Sequence, residues 1–199
     1  MKTAVSLRLT RAPNRIRIIG GRYRRRWIPV TDRVQLRPTP DRVRETLFNW
    51  LAHLYPDPAP LRGLDLFAGT GALGFELASR GAQRVVLIEH DVALVAALIA
   101  LRERLGASEV QVIRGDAIEV AGGLPSAAFD VIFVDPPYEV PLLRPALATA
   151  RRLLAAGGAI YAEAPTVLPE ADLRAQGLQV LRTGRAGRVH FHLLAAHPP

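Results

Sequence analysis

Cysteine is absent from this 199-residue chain, which excludes disulfides, thiolate metal centres and any cysteine nucleophile, including the thiolate route to alkylating a pyrimidine ring carbon. Long apolar runs are lacking as well. The longest extends only from Val92 to Leu101, well short of the roughly 20 residues that span a bilayer, and reads as a buried helix. The apolar residues at the start are broken by Arg8, Arg11 and Arg15, so no signal-peptide core is present and a cytoplasmic, membrane-free protein is expected. None of the four serines lies in a GxSxG motif, which leaves serine-hydrolase chemistry without support. His190 and His192 share one face of the last strand without a third ligand in view, so they read as structural and no metal is expected.

Acidic residues are scarce in one place only. Residues 1–40 hold a single acid, Asp32, against 11 Lys or Arg, whereas residues 41–199 hold 15 basic and 17 acidic residues. The positive charge is therefore an N-terminal arm. Its densest part, Arg22-Tyr23-Arg24-Arg25-Arg26-Trp27, interleaves guanidinium forks suited to phosphate with rings able to stack on unpaired bases. With Arg42, these arginines are candidate contacts to a nucleic acid. The plainer alternative is a solvated edge, since lysine occurs once in the chain and arginine does the basic work throughout.

At 49% hydrophobic, the chain can bury one full core with a small appendage. Residues 1–61 are expected to form the appendage and residues 62–199 the main domain. After a flexible start (1–14), Arg15 to Ile19 and Tyr23 to Val30 read as a hairpin around Gly20-Gly21 that presents the arginines on a ribbon. Thr39 is placed to cap a helix with Pro40 at its first position and an apolar stripe of Val43, Leu47, Trp50, Leu51 and Leu54. A proline-rich linker, Tyr55 to Leu61, follows. From Gly63 strands alternate with helices at about 72–80, 92–105, 141–155 and 169–176. The chain closes with a hairpin of Leu178 to Thr183 and Arg188 to Leu194. That pattern is a doubly wound α/β sheet, mostly parallel, with one antiparallel strand.

Two stretches carry the chemistry. Asp65-Leu66-Phe67-Ala68-Gly69-Thr70-Gly71-Ala72-Leu73-Gly74 reads as strand, glycine turn and helix start, where a nucleotide-like ligand meets the backbone. The GxGxxG pattern inside it also fits a nicotinamide cofactor. Asp65, Glu89, Asp116 and Asp135, however, end successive apolar runs, and four carboxylates oppose a pyrophosphate while favouring a sulfonium and an ammonium group. S-adenosylmethionine is the expected cofactor. Glu89, 18 residues after Gly71, is spaced to take ribose hydroxyls, and Asp116 to take an adenine amino group, although either acid would also serve as a cap for the helix that follows it. The second stretch, Asp135-Pro136-Pro137-Tyr138, follows the buried strand Phe129 to Val134. Its carboxylate and Pro136 carbonyl, held by stiff prolines, suit the two N–H groups of an exocyclic amine, with a flat ring at the rim. It resembles the catalytic motif of amino-methyltransferases.

Taken with Ile16-Arg17-Ile18-Ile19-Gly20-Gly21 and Leu36-Arg37-Pro38-Thr39-Pro40-Asp41-Arg42-Val43-Arg44-Glu45-Thr46-Leu47-Phe48-Asn49-Trp50-Leu51, the chain resembles the bacterial 16S ribosomal RNA guanine(966)-N(2)-methyltransferase family (RsmD-like) from about residue 15 to 195. The resemblance implies a Rossmann-like class I methyltransferase fold, a seven-stranded sheet with its last strand reversed and helices on both faces. It implies 16S ribosomal RNA in the small subunit or its assembly intermediates as partner and S-adenosylhomocysteine as product; a monomer is expected. Carried over, Asp135, Pro136, Pro137 and Tyr138 hold the target guanine. Asp65, Phe67, Ala68, Gly69, Gly71, Glu89, Asp116 and Ala117 line the cofactor, and Arg37 and Thr39 border the same pocket. An adenine N6-methyltransferase of DNA or RNA shares the DPPY chemistry, and a non-catalytic RNA-binding module would keep only the basic arm.

Overall fold

The computed structural model describes residues 15–30 and 39–197. The N-terminal hairpin pairs β1 (Arg15–Arg17) with β2 (Trp27–Pro29), Ile16 opposite Ile28. It is shorter than its sequence suggests. Residues 18–26 form a turn in which Arg25 adopts φ 67°, so the arginines sit on a turn rather than on a ribbon. Helix α1 (Asp41–Leu54) follows. Its cap is Pro40, with no side-chain capping bond, because the Thr39 hydroxyl is engaged elsewhere. The expected stripe buries Val43, Leu47 and Leu51 but adds Phe48 and, unforeseen, Arg44, and leaves Leu54 exposed.

The main sheet contains β3 (Arg62–Asp65), β4 (Arg84–Glu89), β5 (Val110–Arg114), β6 (Phe129–Val134), β7 (Leu154–Ala164), β8 (Leu178–Ala186) and β9 (Val189–Ala196), in the order β5-β4-β3-β6-β7-β9-β8. Strands β3 to β7 pair in parallel, and β9 lies antiparallel between β7 and β8. This is the expected seven-stranded, mostly parallel sheet with a reversed last strand. Between them run α2 (Ala72–Ser79), α3 (Val92–Leu105), α4 (Ala117–Gly122), α5 (Leu143–Leu153) and α6 (Glu170–Ala175). The sequence reading missed α4, a single short turn of helix capped by Asp116, and gave no bounds for β7. Helix α5 stops at Leu153, and Gly157 (φ 75°) and Gly158 lie in an irregularity of β7 instead of ending the helix. The closing hairpin is longer and tighter than expected, with Ala186 opposite Val189.

Helices α1 to α3 and the hairpin cover one face of the sheet, where Ile18, Ile28, Leu47, Phe48 and Phe75 join Phe133 and Tyr161. Helices α4 to α6 cover the other, with Ala121, Leu147, Ala150 and Leu173 against Ile132 and Ile160. Strand order reverses between β3 and β6, which opens a crevice at the carboxyl ends of those two strands. The glycine turn after β3 is tight by necessity. Gly71 has φ 80°, and a Cβ there would stand 2.6 Å from the Leu98 side chain.

Arg44 and Glu76 are both fully buried. The Glu76 carboxylate accepts the N–H groups of Ile19 (2.7 Å) and Gly20 (2.8 Å) and the Arg80 Nε (2.9 Å), with Arg44 Nη1 at 3.9 Å. Arg44 Nη2 donates to the Arg17 carbonyl at 3.0 Å and to Asp41 at 2.6 Å. One acid thus joins the hairpin, α1 and α2. Replacing it strands a buried cation and two N–H groups, so Glu76→Ala is expected to lower unfolding stability by about 3–5 kcal/mol. Urea titration followed by circular dichroism measures the loss.

Candidate functional site

Parallel strands end on the same edge, so the residues that close β3, β4, β6 and β7 converge there. Asp65, at the end of β3, is buried and accepts the N–H groups of Gly74 and Phe67. Burial pushes its carboxyl up to about 7 against the pull of those N–H groups, and the neighbouring Glu89 charge adds to the rise. Glu89, at the end of β4, holds the glycine turn: its Oε2 accepts from the Gly69 N–H at 2.8 Å, and its Oε1 from His90 and Asp91 at 2.9 and 2.8 Å. The Ala68 N–H donates to the Ile88 carbonyl and the Gly71 N–H to the Ala68 carbonyl. The turn therefore spends the N–H groups of Phe67, Ala68, Gly69 and Gly71 inside the protein. Asp116 is exposed and caps α4, its Oδ1 accepting from Ile118 and Glu119 at 2.9 and 3.0 Å, with Ala117 buried behind it.

Beyond β6 the chain turns through Asp135-Pro136-Pro137-Tyr138. Asp135 is half-buried, Pro136 buried, and Pro137 and Tyr138 exposed. Burial, then the charge of Glu163 and then that of Asp65, hold the Asp135 carboxyl well above the usual carboxylate range. The Tyr138 hydroxyl is raised too, by burial first and then by Asp135 and Glu163. Tyr138 leaves 45% of its surface open at the rim.

Glu163 is a member of the site that the sequence reading passed over. It is 4% exposed and one residue beyond the last registered pair of β6 and β7, Val134 opposite Ala162, so alternation puts it on the same face as Asp135. Its Oε1 accepts from the Thr39 hydroxyl and from the Tyr161 hydroxyl, each at 2.8 Å. Burial raises its carboxyl while those two hydroxyls hold it back. The signal was available: Glu163 closes the apolar run Ala159-Ile160-Tyr161-Ala162 as the other acids close theirs. Thr39 consequently does not cap α1, and its bond to Glu163 holds the start of that helix at the edge that carries Asp135. Arg37 lies outside the described residues, as does the start at 1–14.

The arginine-dense turn lies at the other edge of the sheet. The Arg22 N–H donates to the Ser79 carbonyl, the Tyr23 N–H to the Ser79 hydroxyl, and the Tyr23 hydroxyl to Glu109. Ser79 ends α2 and Glu109 precedes β5, so the turn is separated from the glycine turn by the length of α2, about 12 Å. Arg22 is ion-paired with Glu109 and lies over the Tyr23 ring, whereas Arg24, Arg25 and Arg26 are exposed. Arg42 is exposed in the first turn of α1, beside Thr39. His192 is buried, and its Nε2 accepts the Leu168 N–H at 3.3 Å. Among the described residues no group of three His, Cys, Asp or Glu is placed to hold a metal ion, and no helix is long and apolar enough to cross a membrane.

A family model described as "Conserved hypothetical protein 95" matches residues 16–195. The chain is 47% identical over 130 residues to "Ribosomal RNA small subunit methyltransferase D" of Escherichia coli, an alignment that covers 64% of this chain and 63% of that protein. It is 36% identical over 168 residues to the protein of the same name from Haemophilus influenzae, covering 80% and 86%. Among solved structures, "Putative methyltransferase yhhF from Escherichia coli" superposes with a TM-score of 0.77 at 34% identity, over 93% of this chain and 99% of that one. The matched segment thus spans 63% of the Escherichia coli relative's length but nearly all of that solved structure.

The raised Asp65 carboxyl has a thermodynamic consequence. Its folded value, about 7, lies above the ordinary 3.8, so its contribution to stability is full below the ordinary value and is lost as pH rises through about 7. The loss amounts to up to about 4 kcal/mol. Asp65→Asn is expected to abolish that slope and to make the ligand-free protein more stable than wild type at pH 8, but not at pH 4, as read from urea midpoints.

Proposed function

The chain belongs to the family described as Conserved hypothetical protein 95, and on that premise we propose that it methylates ribosomal RNA of the small subunit, transferring a methyl group from S-adenosylmethionine to the exocyclic N2 amine of a guanine. The observation that carries this reading is the adjacency of Asp135-Pro136-Pro137-Tyr138 to a glycine turn surrounded by buried acids. A dinucleotide would need free N–H groups for its pyrophosphate, and the turn keeps four of its own occupied while Asp65 and Glu89 supply negative charge. That donor set fits a ligand with a sulfonium and an ammonium group.

Asp65, Phe67, Ala68, Gly69 and Gly71 would hold the methionine and ribose side of the cofactor. Glu89 would take the ribose hydroxyls beside its backbone bonds, Asp116 and Ala117 would flank the adenine, and Thr39 would border the pocket. When bound, S-adenosylmethionine supplies an electrophilic methyl group whose departing sulfur keeps the electron pair of the broken bond. The protein's own residues act on the acceptor. An exocyclic amine is a weak nucleophile because its lone pair is delocalised into the base. Asp135 and the Pro136 carbonyl accept its two N–H groups and turn the lone pair out of the ring plane. Tyr138 stacks on the flipped or unpaired base and fixes its distance. As the new N–C bond forms, the nitrogen sheds one proton, and Asp135 is the acceptor beside it. The reaction belongs where small subunits assemble, in the cytoplasm.

Incubation with small subunits that lack the modification, followed by mass mapping of their nucleosides, tests the reading. N2-methylguanine in the small-subunit RNA is the expected product, and N6-methyladenine in its place would refute the guanine assignment. Asp135→Ala is expected to slow transfer by at least about 100-fold while the calorimetric affinity for S-adenosylmethionine stays near that of wild type. Near-normal turnover in that variant would remove Asp135 from the chemistry.

A further inference from the structure

The strand directions put a second basic surface on the acceptor edge, remote from the N-terminal turn. Strand β9 runs antiparallel to β7, and β8 antiparallel to β9. Strand β8 therefore ends at the same edge as β6 and β7, and the β8–β9 turn at Gly187 and Arg188 projects there. The register confirms the alignment: His190 lies opposite Ala164 on one side and Arg185 on the other, and Ala164 follows Glu163. Three strand spacings separate the β8 end from β6, about 14 Å, a span of a few nucleotides.

Two helix starts share this edge. Helix α5 begins after the acceptor loop and carries Arg144 in its first turn. Helix α1 begins at Asp41, two residues after the Thr39 that bonds Glu163, and carries Arg42 in its first turn. Arg42, Arg144, Arg185 and Arg188 are all exposed. Arg185 gives its Nε to the Gly187 carbonyl at 3.0 Å, which orients the fork while its two Nη groups have no hydrogen-bond partner among the described residues. Acids do little to offset this charge. Residues 173–199 contain no Asp or Glu, the Asp41 carboxylate is taken by Arg44, and in the loop 136–142 Glu139 stands alone.

We infer that RNA reaches the acceptor loop across the β8–β9 turn and the starts of α5 and α1, with Arg185, Arg188, Arg144 and Arg42 meeting the phosphates that flank the target base. The inference rests on the proposed ribosomal RNA reaction and names the surface that serves it. Guanidinium groups around a pocket of carboxylates divide the work: the rim attracts the polymer and the interior keeps the field that a sulfonium needs. The arginine-dense turn of the hairpin packs instead against Ser79 at the end of α2 and Glu109 ahead of β5, at the opposite edge.

Two variants decide it, Arg185→Ala/Arg188→Ala and Arg24→Ala/Arg25→Ala/Arg26→Ala, each titrated against small-subunit RNA at several salt concentrations and assayed for transfer. Circular dichroism and S-adenosylmethionine calorimetry check that both remain folded. The β8–β9 variant is expected to flatten the log–log salt slope by about 1.4–1.8 and to raise KM for RNA about tenfold with kcat little changed. The hairpin variant should lose less. A β8–β9 variant with the wild-type slope, or a larger loss in the hairpin variant, would overturn the inference and leave the proposed function intact. Wild-type protein that shows no salt-dependent binding to this RNA would overturn both.

Discussion

The burial of carboxylates gathered at one end of a parallel sheet is the constraint around which this molecule is organised. Asp65, Glu89, Asp135 and Glu163 end four strands whose shared direction leaves their side chains no other place to go. Burial pushes Asp65 and Asp135 towards their neutral forms, with the charge of Glu89 adding to the rise at Asp65 and those of Glu163 and Asp65 adding to it at Asp135. The relief comes from local donors: Gly74 and Phe67 to Asp65, Gly69, His90 and Asp91 to Glu89, and the Thr39 and Tyr161 hydroxyls to Glu163. None of these donors is a cation, so the edge keeps its negative field. Such a field favours a positively charged ligand over a phosphate.

A second buried ionic centre makes the first possible. The Glu76 carboxylate anchors the backbone of Ile19 and Gly20, and Arg44 reaches from α1 towards it and to the Arg17 carbonyl. At its far end α1 is held by the Tyr55 hydroxyl on the Gly157 carbonyl at 2.9 Å. With both ends fixed, α1 lies across the sheet with Thr39 over Glu163. The N-terminal elements thus pack into the same core as the strands, and Phe48 meets Phe133 edge to face at 6.1 Å. Thr39 is thereby fixed at the edge that carries Asp135 and Glu163.

The fold class, the glycine turn and the acceptor loop were legible in the sequence because each has a local cause. An apolar run of β-branched residues with an acid and a proline at its end cannot continue as strand, so Asp135-Pro136-Pro137-Tyr138 announces itself. Strand β4 is the apolar run Val85 to Ile88 with Arg84 and Glu89 at its ends, and β6 begins and ends on the apolar residues Phe129 and Val134. Local patterns failed where a long-range partner outweighed them. Thr39 has the chemistry of a cap and the position of one, but a buried carboxylate 124 residues away takes its hydroxyl. Arg44 sits on a helix of charged residues and is nevertheless buried, because Asp41 and the Arg17 carbonyl bond it and Glu76 lies beside it.

What the sequence determined by itself is the inventory: which residues end which strands, that their charge is negative, and that the positive charge is concentrated in the first forty positions. Only the tertiary structure decided which of these meet. The edge on which a turn projects depends on strand direction and pairing, which no local pattern contains. For that reason a conspicuous run of arginines lies at the far end of α2, about 12 Å from the glycine turn, while two inconspicuous ones, Arg185 and Arg188, project at the edge that carries Asp135 and Glu163. Glu163 became visible for the same reason, since a lone acid at the end of a run gains its meaning from the strand laid beside it.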